Sequence, residues 1–448
     1  MKFLFFLFFA PVVFGGSLQF DLKRRSKSLN RRQDDDVSLV PKPENNEYCI
    51  ELGFGSEKEK VQVIVDTGSS DLWVPISNAT CNTGTSSESA DCPKLRYKWY
   101  KSTTLKMSSL PFYVQYGDNS SAEGLFCQDT VWIGDTGINN TTFGLGAIVD
   151  SVGTMGLGFP QLEGSILAFN ESSYPNFPQK LKMDGTIDRV IYSIVLNKDS
   201  SKSSLLFGAV DHEKYSGELL TIPMMTEEEY EKYMAISIDS IALASDKINQ
   251  TLALETNVIL DTGSTVSTFS NSVMQELAES LGGEVKDGQY YVDKTLADKS
   301  KLRFTFNNLT IETEVYIQDA GDGEYVLQYF NQPDDSIPAN VLGQDVLTRI
   351  YAVYDLDGLE ISIAPQSGST KSNIEVVGAD GEFSKASSNI SETNDSSATT
   401  EGSYSSATSQ TSGSSETSDS SQKSDASSIK NISVYLLALS LLISICFG

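Results

Sequence analysis

The chain has 448 residues, with 60 acidic against 33 basic side chains and a formal net charge of −27. An acidic balance of that size excludes a phosphate-tracking surface and with it a nucleic-acid partner. The only histidine is His212, so a site of two or three imidazoles is excluded, and a Ser–His–Asp or Cys–His relay would have to use that residue.

The first 16 residues have the form of a secretory signal peptide: Lys2, an unbroken apolar run over 3–14, then Gly15, Gly16 and Ser17. The run falls short of the ~20 residues of a spanning helix. Residues 17–32 read as a short pro-segment with Lys23-Arg24-Arg25 and a terminal Arg31-Arg32. Paired basic residues in an exposed, turn-prone stretch of a secreted chain suit a kexin-like processing protease, with cleavage after Arg32 and a mature chain starting at Gln33.

Short β-branched and aromatic segments bounded by Gly, Asn, Asp or Ser fill the body, at 48–53, 61–65, 112–116, 130–133, 190–196, 205–208, 258–260, 302–306, 325–329 and 352–356. Short helices are expected over 272–281 and 344–351. The body also repeats itself. Residues 61–70 read VQVIVDTGSS and residues 256–265 read TNVILDTGST, which places Asp66 and Asp261 195 residues apart. Met155-Gly156-Leu157-Gly158 and Val341-Leu342-Gly343-Gln344 form a second repeated pair. The expectation is a mostly β, bilobal body of two related β-barrel lobes, 33–188 and 189–365, with the cleft between them.

Residues 366–425 are dominated by Ser, Thr, Gly, Asp and Glu. Such a segment buries too little surface to offset chain entropy and reads as a disordered, O-glycosylated stalk. Residues 426–448 end in an apolar stretch over 434–447 without a basic flank, the form of a GPI-attachment signal, with Ser424 or Asp425 as the attachment residue. Removal of that tail takes Cys446 and leaves an even four cysteines, which allow three connectivities. Cys81 with Cys92 closes a polar, turn-rich loop and leaves Cys49 with Cys127. Sequons at Asn78, Asn119, Asn139, Asn140, Asn170, Asn249, Asn308, Asn389 and Asn394 fit the secretory route.

A strand that delivers Asp into a Thr-Gly turn directs backbone N–H groups at the carboxylate, and the following Ser can donate to its outer oxygen. Two such turns face to face put two carboxylates, Asp66 and Asp261, in one partly desolvated space. One proton is then shared, because like charges so close cannot both ionise cheaply. One carboxylate can take a proton from water while the other donates to a carbonyl oxygen. Amide hydrolysis by that route needs no cofactor and no metal.

These residues resemble the pepsin-like aspartic proteases over most of 47–365. The resemblance implies the bilobal pepsin-like fold, catalysis by Asp66 and Asp261, and support of the pair by Thr67, Gly68, Ser69, Thr262, Gly263 and Ser264. Leu72-Trp73-Val74 matches the continuation of the first motif. Tyr116, Gly117 and Asp118 match a flap hairpin that closes over substrate, with the Tyr116 hydroxyl reaching Trp73 through water. Signal, dibasic pro-segment, stalk and anchor signal together resemble the fungal yapsin-type and GPI-linked secreted aspartyl proteases. That implies peptide or protein substrates, a kexin-like activating protease, cell-surface placement on membrane or wall through the GPI anchor, and a preference for Lys or Arg, for which Asp118 and Glu123 would form a negative wall. Two lobes complete the pair, so a monomer is expected. Two features depart from the family: the pro-segment is short, and no cysteine lies between Asp261 and Pro365. His212 is expected to be solvated in a surface hairpin. The competing readings are a non-catalytic binding module on a protease fold and a glycosidase, which also pairs carboxylates.

Overall fold

The computed structural model describes residues 16–26, 46–81, 96–198, 202–332 and 337–387. Apolar–polar alternation builds much of it. In Lys301–Phe306 every second side chain is buried, and the strand paired with it, Leu309–Glu314, is patterned for the same face. Side chains along a strand alternate between faces, so one face packs while the other meets water. The two residues that join these strands include Asn307 in the left-handed region at φ 49°, a conformation that asparagine tolerates.

Three large sheets result. The first lobe holds eight strands in the order Lys23–Ser26, Asn46–Phe54, Glu59–Asp66, Gly153–Gly156, Leu72–Cys81, Thr136–Val149, Ser121–Ile133 and Lys106–Gln115. The second holds seven: Leu309–Glu314, Lys301–Phe306, Ala235–Ala244, Asn249–Leu260, Asn340–Leu342, Thr268–Ser270 and Phe330–Gln332. A six-stranded sheet runs Leu18–Asp21, Ser204–Phe207, Ile191–Val195, Ile350–Asp355, Glu360–Pro365 and Leu220–Pro223. It touches both lobes, because Tyr192 reaches Leu157 and Tyr354 reaches Leu260. The mostly β, bilobal expectation holds. Helix Asn271–Ser280 stands where one was expected, with the Ser270 hydroxyl accepting the Val273 N–H at its start. The other is only Gln344–Leu347, because the apolar run after it is taken into strand Ile350–Asp355.

Four expectations are corrected. Part of the predicted pro-segment is built into the body: Leu18–Asp21 pairs with Ser204–Phe207 and Lys23–Ser26 pairs with the start of Asn46–Phe54. Phe20 and Leu22 are buried there, so the Lys23-Arg24-Arg25 run lies in a strand rather than in an open turn. The predicted stalk does not start at 366. Residues 366–387 fold back on the second lobe, with Ile374–Val376 pairing antiparallel to Ala209–Asp211 and Val377 fully buried. Composition hid this, because the strap is polar apart from a few anchors such as Val377 and Phe383.

His212 is not solvated. It is 6% exposed, with Nε2 2.7 Å from Glu375 Oε2 of the strap and Nδ1 2.8 Å from the Tyr215 hydroxyl. The predicted Cys49–Cys127 bond is absent. Cys49 lies opposite Ile64 and Lys23, whereas Cys127 lies opposite Phe143 and Met107, so register holds the two buried cysteines beside different neighbours. The predicted partner of Cys81, Cys92, lies outside the described residues, as do Arg32, Asn389, Asn394, Ser424 and Asp425. The other predicted sequon asparagines are all exposed.

Candidate active site

Each Asp-Thr-Gly-Ser turn emerges from a strand that a parallel neighbour backs. Glu59–Asp66 pairs with Gly153–Gly156, with Asp66 opposite Gly156, and Asn249–Leu260 pairs with Asn340–Leu342, with Leu260 opposite Leu342. The second repeated motif therefore supplies these backing strands. Past them, the Leu157 N–H donates to Asp66 O at 2.9 Å and the Asp261 N–H donates to Leu342 O at 3.0 Å. The turns are held further on by Gly158 N–H to Ser69 O at 2.8 Å and Gln344 N–H to Ser264 O at 2.9 Å.

The two carboxylates meet matching donors. The Gly68 N–H reaches Asp66 Oδ1 at 2.8 Å and the Ser69 hydroxyl reaches Oδ2 at 2.5 Å. The Gly263 N–H reaches Asp261 Oδ1 at 2.8 Å and the Ser264 hydroxyl reaches Oδ2 at 2.7 Å. Across the lobes, the Thr67 N–H donates to Thr262 Oγ1 at 3.1 Å and the Thr262 N–H donates to Thr67 Oγ1 at 3.0 Å. Each hydroxyl passes its own proton to the opposite strand, Thr67 to Leu260 O and Thr262 to Val65 O, both at 2.8 Å. The threonines thus lock the turns in register.

Glycine is required where the carboxylates cross. A Cβ on Gly68 would lie 2.6 Å from Asp261 Cγ, and one on Gly263 would lie 2.4 Å from Asp66 Oδ1. Each carboxylate rests against the glycine of the other lobe. Asp66 is buried at 6% exposure. Burial, then the neighbouring Asp261 charge, push its carboxyl well above the usual carboxylate range. The pair therefore keeps one proton in acid solution.

Strands Lys106–Gln115 and Ser121–Ile133 form the expected flap hairpin, closed by Tyr116 N–H to Ser120 O and turned at Asn119 with φ 64°. Fully buried Trp73 donates Nε1–H straight to the Tyr116 hydroxyl at 2.8 Å, where a water had been expected between them. Gly117 and Asp118 are exposed at the tip, and Asp118 Oδ1 accepts the Ser120 N–H and hydroxyl. Glu123 lies partly buried, and loss of water, then the Asp150 charge, raises its carboxyl.

Sequence reasoning missed a buried acidic cluster behind the first turn. Asp71, 2% exposed, accepts the Gly164 N–H at 2.7 Å and the Tyr174 hydroxyl. Fully buried Glu163 accepts the Tyr174 N–H at 3.0 Å, while its Oε1 has no partner among the described residues. Burial raises Asp71 to about 6 and Glu163 to about 8. The signal available was the acidic residue directly after Ser69-Ser70.

Comparison with known proteins shows the family and the fold. The "Eukaryotic aspartyl protease" family profile matches residues 47–366. The chain is 33% identical to aspartic proteinase yapsin-3 of Saccharomyces cerevisiae, across 78% of this chain and 72% of the relative. It is also 33% identical to candidapepsin-1 of Candida albicans, across 75% of this chain and 86% of the relative. The solved aspartic proteinase of Irpex lacteus superposes with a TM-score of 0.59 at 21% identity, covering 72% of this chain and 94% of that one.

Proposed function

Since the chain belongs to the eukaryotic aspartyl protease family, as an aspartic endopeptidase of yapsin and candidapepsin type, we propose that Asp66 and Asp261 are its acid–base pair. The observation that carries this is the crossing of the two turns: each carboxylate has a backbone N–H and a serine hydroxyl, and each rests on the other lobe's glycine.

Hydrolysis then proceeds with water as the nucleophile. The ionised carboxylate of the pair takes a proton from water as its oxygen bonds to the scissile carbonyl carbon. The protonated carboxyl donates to the carbonyl oxygen, giving a neutral gem-diol. The carboxyl that took the proton from water then passes it to the amide nitrogen, while the other carboxylate takes back a hydroxyl proton of the gem-diol as the C–N bond breaks and the carbonyl reforms, which leaves the pair with one proton. The flap closes over the substrate, with Tyr116 oriented by Trp73. Thr67 and Thr262 tie the two turns to one another across the lobes.

The finer reading is a cell-surface enzyme, released by a kexin-like protease after Arg32, tethered by a GPI anchor at Ser424 or Asp425, and favouring Lys or Arg beside the scissile bond. Asp118, exposed at the flap tip, supports that preference. Glu123, partly buried and raised by loss of water and then by the Asp150 charge, contributes less. Secretion is supported by the name of a relative, the Candida albicans "Secreted aspartic protease 1".

The test is cleavage of a peptide library by the purified, processed protein across about pH 3–7, with and without a statine-type transition-state mimic. The protein must extend through Ser387, because the strap belongs to the folded body. Inhibitable cleavage that Asp66→Asn and Asp261→Asn each abolish is the expected result, and cleavage retained in either variant overturns the assignment. Cleavage beside apolar residues alone removes the basic preference and keeps the enzyme.

A further inference from the structure

Two tyrosines from the six-stranded sheet lie stacked beneath the paired turns. Tyr192 on Ile191–Val195 and Tyr354 on Ile350–Asp355 are opposite each other in register, with ring centroids 5.0 Å apart and planes at 19°. Both are fully buried. The Tyr192 hydroxyl donates to Leu157 O at 3.1 Å, and the N–H of Leu157 holds the Asp66 carbonyl. The Tyr354 hydroxyl donates to Leu260 O at 3.0 Å, the carbonyl of the peptide bond that leads into Asp261. That same oxygen accepts the Thr67 hydroxyl from the other lobe. One stack therefore grips the backbone beside each carboxylate, one hydroxyl per lobe.

We infer that Tyr192 and Tyr354 are positioning residues that set the separation of the Asp66 and Asp261 carboxylates by tying both turns to one rigid stack. The inference rests on the acid–base reading of that pair. Removing the hydroxyls takes one donor from Leu157 O and leaves Leu260 O to the Thr67 hydroxyl of the other lobe, so each backbone relaxes toward its remaining partners. Here relaxation moves the turns, and the splitting of the pair's two apparent pKa values depends steeply on the distance between like charges. Without the hydroxyls the turns draw apart, the splitting narrows, and the alkaline limb of the kcat/KM profile moves toward acid.

The molecule contains its own control. Tyr215 and Tyr351 form a second buried stack in the second lobe, with centroids 5.3 Å apart at 19°. Their hydroxyls serve Ala386 O and Asp211 N–H, away from the turns. The experiment compares Tyr192→Phe/Tyr354→Phe with Tyr215→Phe/Tyr351→Phe in the full chain. It reads kcat, KM, melting temperature, affinity for a statine-type mimic and the pH profile.

The expected result is that both pairs lower the melting temperature. Only the first should lower kcat, about tenfold, with KM little changed and mimic affinity falling in step. Its alkaline limb should move by about half a pH unit, a shift large enough to resolve. Equal profiles for the two double variants, or a loss confined to the melting temperature, overturn the inference while the acid–base reading stands on the wild type. An inactive wild type removes that reading and the inference with it. Where the first double variant does not fold, Tyr354→Phe alone carries the same comparison.

Discussion

The two copies of the Asp-Thr-Gly-Ser turn are alike at the front and unlike behind. Facing the cleft, each offers its carboxylate the same two donors, and they exchange the same threonine bonds, with distances that agree within a few tenths of an ångström. Five residues on from the aspartates they diverge. The first copy has Asp71, held by Tyr174 and Gly164 beside Glu163, and the second has the buried apolar Val266. The second lobe has a buried, raised carboxyl elsewhere, at Asp345, which accepts the Ser267 hydroxyl at 2.9 Å. The flap and the Trp73–Tyr116 bond belong to the first lobe. The reacting groups need symmetry, because two carboxylates share one proton. The scaffold behind them needs none, so each lobe solves its packing separately.

The largest expected effect tests the symmetric face. Asp66→Asn and Asp261→Asn should each lower kcat/KM by about 10³-fold or more, to similar extents, with an unchanged circular dichroism spectrum. A loss confined to one of them breaks the pairing. Next comes the feature found in one lobe: Tyr116→Phe removes the flap bond and should cost about tenfold in kcat/KM with little change in melting temperature, whereas Trp73→Phe should also lower the melting temperature because Trp73 is fully buried. A comparable loss from Val266→Ala would argue that the second lobe contributes a matching element.

Truncation after Pro365 removes the His212–Glu375 contact, the Val377 burial and the backbone bonds of the strap. Thermal unfolding of that form should begin several degrees, about 4 °C or more, below a form ending at Ser387. Coincident curves would show that the strap contributes nothing to the second lobe.

The smallest effect separates the lobes by pH. A carboxyl raised in the folded state binds more protons native than unfolded. The stability it contributes is complete below its unfolded value and is lost as pH rises through its folded value. Asp71 and Asp345 both titrate between the ordinary 3.8 and about 6, so loss in that window belongs to both lobes. Glu163 spans 4.5 to about 8, so loss above about 6 belongs to Glu163 and to the raised carboxyl of the Asp66–Asp261 pair. Glu163→Gln should make the urea-midpoint profile shallower between pH 4.5 and about 8, most visibly above the range of Asp71 and Asp345, and a profile as steep as wild type would remove Glu163 as a cause.

Much of the site was legible because its chemistry is local and written twice. Asp66, Thr67, Gly68 and Ser69 supply their own strand end, turn and donors within four residues, and Asp261–Ser264 repeat them. The flap was legible for the same reason, since a hairpin is contiguous. The Asp71 cluster was not, because its partners Gly164 and Tyr174 lie 93 and 103 residues away in the chain. His212 was misread because a polar hairpin carries no sign that a strap from 163 residues further on will cover it. The Cys49–Cys127 pairing failed similarly: counting restricts connectivity, but register decides which thiols meet.

By itself, then, the sequence determined the two lobes, the repeated turns and the chemistry that two facing carboxylates can perform, because strand periodicity and turn residues act over a few positions. The tertiary structure alone decided which carboxyls are buried, which strand takes the edge beside Ser204–Phe207, where the folded body ends, and how one tyrosine stack reaches both turns. Those outcomes depend on desolvation and on contacts between distant segments, and both exist only once the chain has closed on itself.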